Sequence, residues 1–442
     1  MIFDRKSLRA LLVPLVIEQV LTGLMGVADT LMVSNVGEAA ISGVSLVDAV
    51  NLLVVYFLSA LAAGGTIVCA QYIGREDPKN AGKAAHQVMF TALVISACLC
   101  VLLALGRRPL LALIFGSVEA DVMEAAVTYM LITVMSYPFL ALYTTSAALF
   151  RAVGDSRKPM IVAALADALN IVGNAILIFG CGLGVAGAAI ATLLSRIFSA
   201  LVMLWYQHRT EHPISLHGIR DMRPDGAMIR RILRIGLPGA VENGMFQLGR
   251  LAVQSTVAVL GTTAIAAQAL ALTLETFGSM PAQAVGTGLL TVAGQCIGRG
   301  RPDEARRYIK RFTWISTGMV LCTGVLICTA VPFVVRFTAL SAEGAALTCR
   351  IIWVTSVVKL LLWPVAFTLP NGLRAAGDVS YAMWVSTVSM WVFRVGLSWF
   401  LCRCTPAGLW GVWIGWCTDW LVRNLCFRFR FRGDRWLRHS VL

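Results

Sequence analysis

Long apolar runs separated by short charged stretches follow one another along this chain from end to end. They fall at residues 10–34, 43–70, 84–105, 124–149, 159–180 and 185–206, then at 232–260, 264–296, 309–332, 346–373, 380–402 and 406–427. Each approaches or exceeds the roughly 20 residues with which a helix crosses a bilayer. None alternates in segments of about ten residues as spanning strands do, and helices let the backbone satisfy its own hydrogen bonds in lipid. The pattern predicts an all-α polytopic membrane protein with twelve transmembrane helices.

The connectors between the runs repeat. Residues 71–83 read QYIGREDPKNAGK and residues 295–307 read QCIGRGRPDEARR, 224 positions later. Val33–Leu46 matches Val257–Leu270 at the same offset, Arg151-Ala-Val-Gly-Asp155 returns as Arg374-Ala-Ala-Gly-Asp378 at 223, and Gly184 and Gly187 return as Gly408 and Gly411 at 224. A period this long is far beyond the roughly 20 to 50 residues of solenoids and propellers, so the unit is half a protein. Six helices per copy is an even number, which makes the copies a parallel repeat about an axis along the membrane normal. The expected organisation is an N-terminal six-helix bundle over 1–206, a cytoplasmic linker over 207–231, and a C-terminal six-helix bundle with a basic tail over 232–442.

Composition agrees with a membrane setting: 58% of residues are hydrophobic and 14% charged, against about 45–50% apolar in soluble domains. Mean hydropathy is +0.77. The N-terminus, the connectors at 71–83, 151–158, 207–234, 299–311 and 374–379, and the tail from Arg423 hold 28 of the 37 Lys and Arg residues, whereas the opposite connectors hold five. The basic side is cytoplasmic, which places both termini there in a multi-pass protein of the cell (inner) membrane. The net charge of +14 is therefore mostly topological, suited to anionic lipid rather than nucleic acid. The first run is too long for a signal-peptide core and lacks a small-residue cleavage pattern. Most of the twelve cysteines lie singly within runs, as packing residues do. A monomer is expected.

Enzyme chemistry finds little support. Gly182-Leu-Gly-Val-Ala-Gly187 fits a dinucleotide-binding pattern only where a strand precedes it in a soluble βαβ unit; here it lies in a short turn between two membrane runs, where small residues allow a tight helical hairpin. There is no HExxH, GxSxG or P-loop, and His86, His208, His212, His217 and His439 stand near or beyond the ends of runs. No cofactor is expected.

Ionisable residues inside the runs carry the functional signal, since each costs roughly 2.5–3.5 kcal/mol at a helix centre on insertion scales. They are Glu18, Asp29, Asp48, Asp167, Arg196, Glu242, Arg250, Glu275, Lys359, Arg394 and Asp419. Glu18 and Asp29 share one helix face about 16 Å apart, as points on one vertical pathway or as carboxylates bonded to neighbouring helices. Asp167, Asn170 and Asn174 form a stripe at spacings of three and four, with Thr192 on the next helix a plausible neighbour. Such a stripe reads as a polar lining or as interhelical bonding. Symmetry is broken here: Ala252 and Val253 stand opposite Asp29, and Phe393 and Arg394 opposite Asn170. Glu242 and Glu275 with Arg250 suggest a second buried polar cluster, as a structural ion pair or a transport site. Eleven of the twelve tryptophans follow residue 224, among them Trp410, Trp413, Trp416 and Trp420. They suit an interfacial belt or a cation-π surface for an organic cation.

Together these residues resemble the multidrug and toxic compound extrusion (MATE) family of secondary transporters across essentially the whole chain. Gly26-Val-Ala-Asp29-Thr30, the paired QxIGR and RAxGD connectors, and LNIVGNAILIFGCGLGVAGAAIAT over Leu169–Thr192 carry the resemblance. It implies two six-helix bundles around a central cavity that opens alternately to either side. It also implies export of organic cations or amphipathic drugs against H+ or Na+. The family's first-helix acidic site falls on Asp29, its fifth-helix Asn on Asn170 and its sixth-helix Thr on Thr192. The fifth-helix Asp of many members is Asn174 here, which weakens a two-carboxylate Na+ site at Asp29, Asn170, Asn174 and Thr192 and favours protonation of Asp29. Glu18, Asp167, Glu242, Glu275, Arg250 and Trp391 are further candidates for cavity or substrate contacts. A flippase for a lipid-linked or other amphipathic precursor is the alternative, and it would require a cationic cavity built from Arg196, Arg250, Lys359 and Arg394.

Overall fold

The computed structural model describes residues 3–34, 36–116, 119–209, 211–212, 214–215, 223–338, 340–438 and 441. Twelve helical rods follow one another among the described residues, with no strand. The first six are α1 (Arg5–Ser34), α2 (Glu38–Gly74), α3 (Pro78–Phe115), α4 in two pieces, α4a (Ala120–Val134) and α4b (Tyr137–Ala152), α5 (Arg157–Gly180) and α6 (Gly184–Arg209). The second six are α7 (Gly226–Ala258), α8 (Thr262–Gly298), α9 (Pro302–Phe337), α10 (Ala342–Ala375), α11 (Val379–Cys404) and α12 (Leu409–Arg432). Each expected run coincides with one rod. Eight rods are long and apolar enough to cross a membrane by themselves, and α4 makes nine when its pieces count as one span. The other three, α7, α8 and α12, are diluted by charged or by small and polar residues, and it is the repeat that pairs them with α1, α2 and α6.

Residues 124–149 read as one continuous run, yet α4 bends by 47° between its pieces. Pro138 explains the break, because it cannot donate to the carbonyl of Val134. Beside the break the Ser136 hydroxyl donates to the Thr133 carbonyl at 2.5 Å. Three rods contain π turns: Ala175–Gly180 in α5, Pro364–Thr368 in α10 and Met390–Leu397 in α11.

The chain divides into two compact units, Asp4–Ala240 and Val241–Leu442 with Met1–Phe3. The division falls inside α7, after the expected linker. That linker is shorter than 207–231, since α6 runs to Arg209 and α7 starts at Gly226; its residues 210, 213 and 216–222, with His217, lie outside the described residues, as does His439. The first turns of α7 belong to the first unit because Gly236 packs against α2, where a Cβ on Gly64 would lie 2.8 Å from the Gly236 nitrogen.

Within the first unit α2 packs on α3 and on both pieces of α4, α5 packs on α1 and α6, and α6 also packs on α4. Small residues allow these approaches. A Cβ on Gly187 would stand 2.9 Å from the Leu177 carbonyl, so the α5–α6 hairpin closes as its glycines suggest, rather than forming a nucleotide loop. Within the second unit the core gathers Val412, Trp413, Trp416 and Trp420 of α12 with Trp363 of α10 and Val253 and Val257 of α7.

The two copies share connector geometry as well as sequence. Glu76 has φ 60° and its counterpart Gly300 has 69°; Gly154 has 91° and its counterpart Gly377 has 97°. Each RAxGD connector closes with the same bonds. Gly154 N donates to Arg151 O at 2.9 Å and Gly377 N to Arg374 O at 2.9 Å, while Asp155 N donates to Phe150 O at 2.9 Å and Asp378 N to Leu373 O at 3.1 Å.

Candidate functional site

In the first unit the polar stripe of α5 meets α1 and α6. Asn170 and Asn174, one helical turn apart, face the same way, and Asn174 is the last residue before the π turn. Asn174 Nδ2 donates to Asp29 Oδ1 at 2.5 Å and to Asn170 Oδ1 at 3.0 Å. Asn170 Nδ2 donates to Thr192 Oγ1 at 3.2 Å, and Thr192 Oγ1 donates to the Ala188 carbonyl at 3.0 Å. Asp29, Asn174, Asn170 and Thr192 thus form one hydrogen-bonded chain, with the carboxylate as its terminal acceptor. Asn174 is wholly buried, and no donor among the described residues reaches its Oδ1. A buried carbonyl oxygen of this kind is an available ligand for a proton donor or a cation.

A second layer surrounds Asp29 that spacing alone does not reveal. Asp48 of α2 accepts from Asn51 Nδ2 at 3.2 Å and from Tyr129 OH of α4a at 3.4 Å. Tyr137 OH of α4b donates to Asn51 Oδ1 at 2.6 Å, and Arg196 Nη1 of α6 donates to Ser136 Oγ at 2.6 Å. Asp48 and Arg196 both lie within electrostatic range of Asp29. In the sequence Asp48 and Arg196 stand out only as ionisable residues within spans, with nothing that joins them to Asp29. The i, i+3 pair Asp48–Asn51 and the i, i+4 pair Thr192–Arg196 were the available signals.

Glu18 stands apart from this chain. It forms a buried ion pair with Arg151 of α4b, and Tyr143 OH donates to the same oxygen, Oε1, at 3.4 Å. Asp167 of α5 lies within electrostatic range of Glu18, so the stripe of α5 divides: Asn170 and Asn174 serve Asp29, and Asp167 serves Glu18.

In the second unit the expected cluster of Glu242, Glu275 and Arg250 does not form. Glu242 binds Arg374 at 2.6 and 2.7 Å through both oxygens. Glu275 binds Lys359 at 3.0 Å, and Lys359 Nζ also donates to Ser279 Oγ at 2.7 Å. Arg250 has no carboxylate partner among the described residues. The reason is geometric: Lys359 on α10 approaches α8 over Gly278, where a Cβ would lie 3.4 Å from its Nζ. Arg394, opposite Asn170 in the repeat, binds buried Asp419 at 2.8 Å, which also binds Arg423 at 2.7 Å. The tryptophans need correcting too. Trp413, Trp416 and Trp420 are packed in the core, neither a belt nor an open surface, and Trp416 lies 4.3 Å from the Arg394 guanidinium. Trp391 is half-buried in the π turn of α11, with no acceptor for its N–H among the described residues.

One relation ties the units' chemistry together. Glu242 is Glu18 plus 224 and Arg374 is Arg151 plus 223, so each copy has its own Glu–Arg bridge from its first helix to the end of its fourth.

A duplicated helical membrane fold with a carboxylate held by an interhelical amide chain defines a membrane transporter rather than an enzyme. The MatE family matches residues 14–176 and again 238–400, two segments offset by the same 224 residues, and the chain belongs to that family. A Thermotoga maritima protein named "Probable multidrug resistance protein NorM" is 27% identical over 99% of this chain and 94% of its own length. A Bacillus subtilis protein named "Uncharacterized transporter YisQ" is 27% identical over 98% of this chain and 96% of its own. Among solved structures, an outward-facing multidrug resistance MATE transporter of the MOP superfamily superposes with a TM-score of 0.90 at 22% identity, covering 97% of this chain and 96% of that one. A MOP superfamily transporter from Pyrococcus furiosus gives 0.88 at 22%, with the same coverage.

Proposed function

We propose that this chain is a cation-coupled antiporter of the cell (inner) membrane that exports organic cations or amphipathic drugs by alternating access. The observation that carries the reading is the chain from Thr192 through Asn170 and Asn174 to Asp29, which ties an intramembrane carboxylate on α1 to α5 and, through it, to α6. The name of the Thermotoga maritima relative, a probable multidrug resistance protein, supports drug export. Proton coupling is favoured, because Asn174 stands where a second carboxylate would complete a Na+ site, which leaves Asp29 as the one carboxylate of the hydrogen-bonded chain. Taking up the cation at Asp29 changes what Asn174 can donate to. Uptake shifts transport only if the two access states bind the cation differently. A flippase is disfavoured because Lys359 and Arg394 are each already neutralised by a buried carboxylate, Glu275 and Asp419, which leaves less positive charge for a pyrophosphate.

The test is transport in proteoliposomes under separately imposed pH and Na+ gradients, with an organic cation as reporter. Wild type responds to the pH gradient, and Asp29→Asn, which keeps the hydrogen-bonded shape, loses the ion-driven component. Full ion-driven efflux by Asp29→Asn would remove Asp29 from the mechanism.

A further inference from the structure

The first turns of α7 are clamped on one side and open on the other. Asp225 caps the helix, accepting from Ala227 N at 2.9 Å and from Met228 N at 3.2 Å, and forms an ion pair with Lys83 of α3. Gln87 of α3 donates to the Arg223 carbonyl at 2.9 Å and accepts from Asp225 N at 3.2 Å, while Arg231 donates to Tyr72 OH of α2. Met228, Ile232 and Ile235, which share the face of Arg231 by their spacing, are buried. The clamp fixes which face of α7 is left outside it.

That outer face carries Gly226, Ile229, Arg230, Leu233, Arg234 and Leu237, which line a groove of about 570 Å³. The groove follows one helix for eleven residues, about 16 Å at 1.5 Å per residue. It begins outside the apolar run of 232–260 and ends inside it, so it crosses from the membrane surface into the apolar layer. Arg230 and Arg234, one turn apart, are both exposed. Neither has a hydrogen-bond, carboxylate or ring partner among the described residues, whereas Lys83 and Arg231 beside them are bonded. Leu237 is 43% exposed. A free anion would pair with the arginines and leave the leucines uncovered; an uncharged acyl chain would do the reverse. An anionic phospholipid satisfies both, since arginine stems lie along apolar surface with their charged heads at the headgroup level.

We propose that this groove binds one anionic phospholipid, from the leaflet on the side of the basic connectors, with its phosphate at Arg230 and Arg234 and the start of its acyl chains along Leu233 and Leu237. Two guanidiniums one turn apart take the phosphate oxygens by charge-assisted hydrogen bonds. All six lining residues belong to the first unit, so the site is complete within it.

Native mass spectrometry of the purified full chain, stripped of lipid in detergent and titrated with phosphatidylglycerol or phosphatidylcholine, counts bound lipids one by one. It needs no transport, so its outcome is separate from that of the antiport assay. Each arginine strengthens attachment to anionic lipid about fivefold, so Arg230→Gln/Arg234→Gln should weaken the first phosphatidylglycerol roughly thirtyfold and leave phosphatidylcholine unchanged. Arg234→Gln alone, expected to cost about fivefold, carries the test if the double variant does not fold. Arg5→Gln/Arg9→Gln is the matched control: an exposed pair at the same spacing at the start of α1, flanked by Lys6, Ser7 and Ala10 instead of leucines, which should keep wild-type binding. Equal losses in the two double variants would overturn the proposal, by reducing the effect to net charge. So would unchanged binding in Arg230→Gln/Arg234→Gln, equal affinity of wild type for the two lipids, or displacement of the lipid by inorganic phosphate, which would assign the groove to a free anion.

Discussion

Asp419 holds two buried cations at once, and neutralising it gives a measurable test of what the second unit's charges do. Its Oδ1 accepts from Arg423 Nε at 2.7 Å and from Ser389 Oγ at 2.7 Å, and its Oδ2 accepts from Arg394 Nε at 3.0 Å. All three ionic side chains are at most 2% exposed. The hydrogen-bonded cluster has two positive charges and one negative, so Asp419→Asn leaves two guanidiniums with no bonded anion, Glu275 acting on Arg394 only at longer range. Breaking one buried pair costs about 3–5 kcal/mol. Here both pairs break, offset in part by the Arg423 bond to the Ser386 carbonyl at 2.9 Å and by the Arg394–Trp416 contact. A loss of about 5 kcal/mol follows, equivalent to roughly 10–20 °C in midpoint for a unit of this size. Arg423→Met, by contrast, removes the surplus cation and leaves a neutral Arg394–Asp419 pair, at a cost of about 2 kcal/mol or less for an apolar replacement of similar volume. Thermal unfolding in detergent, followed by the fluorescence of the tryptophans packed on α12, measures both. Equal midpoints for the two variants, or a midpoint for Asp419→Asn within a few degrees of wild type, would refute the reasoning. Asp419→Asn that survives in proteoliposomes should keep its ion dependence, because Asp29 and its amide chain lie in the other unit.

Two further expectations follow from particular contacts. Asn174→Asp places a second carboxylate against Asp29; like charges disfavour ionisation and raise the pKa of the pair, so the pH at half-maximal proton-driven exchange moves upward, which a pH titration of exchange in proteoliposomes detects. Gly377→Ala puts a Cβ on a residue with φ 97° and should cost about 1–3 kcal/mol, seen as a lower unfolding midpoint with unchanged ion preference.

Much of the architecture was legible because lipid imposes one rule on every span. Apolar runs marked all twelve rods; α7, α8 and α12 are the most diluted of them, and the repeat supports their assignment by pairing them with α1, α2 and α6. Asp29, Asn170, Asn174 and Thr192 were legible through their spacing and the family resemblance. The partner of Glu275 was not, because spacing along one helix says nothing about which side chain a neighbouring helix delivers: Lys359 comes from α10, 84 residues further on. The Glu18–Arg151 and Glu242–Arg374 bridges could have been found, since the offsets that align the connectors also align all four residues. The burial of the α12 tryptophans could not, because an aromatic stripe looks the same whether it meets lipid, ligand or core.

The π turns give the repeat offset a physical meaning. It falls from 224 to 223 between the QxIGR and RAxGD connectors and returns to 224 by Gly408, so one residue was gained between Asp378 and Gly408 relative to the first copy. That interval is α11, whose π turn spans eight residues where that of α5 spans six. A π turn is how a helix accommodates an inserted residue locally, and one residue corresponds to about 100° of rotation about the axis. The fifth helix of each copy can therefore re-aim its side chains while its connectors stay in place. That is a route by which one copy came to present amides to Asp29 while the other presents Arg394 to Asp419.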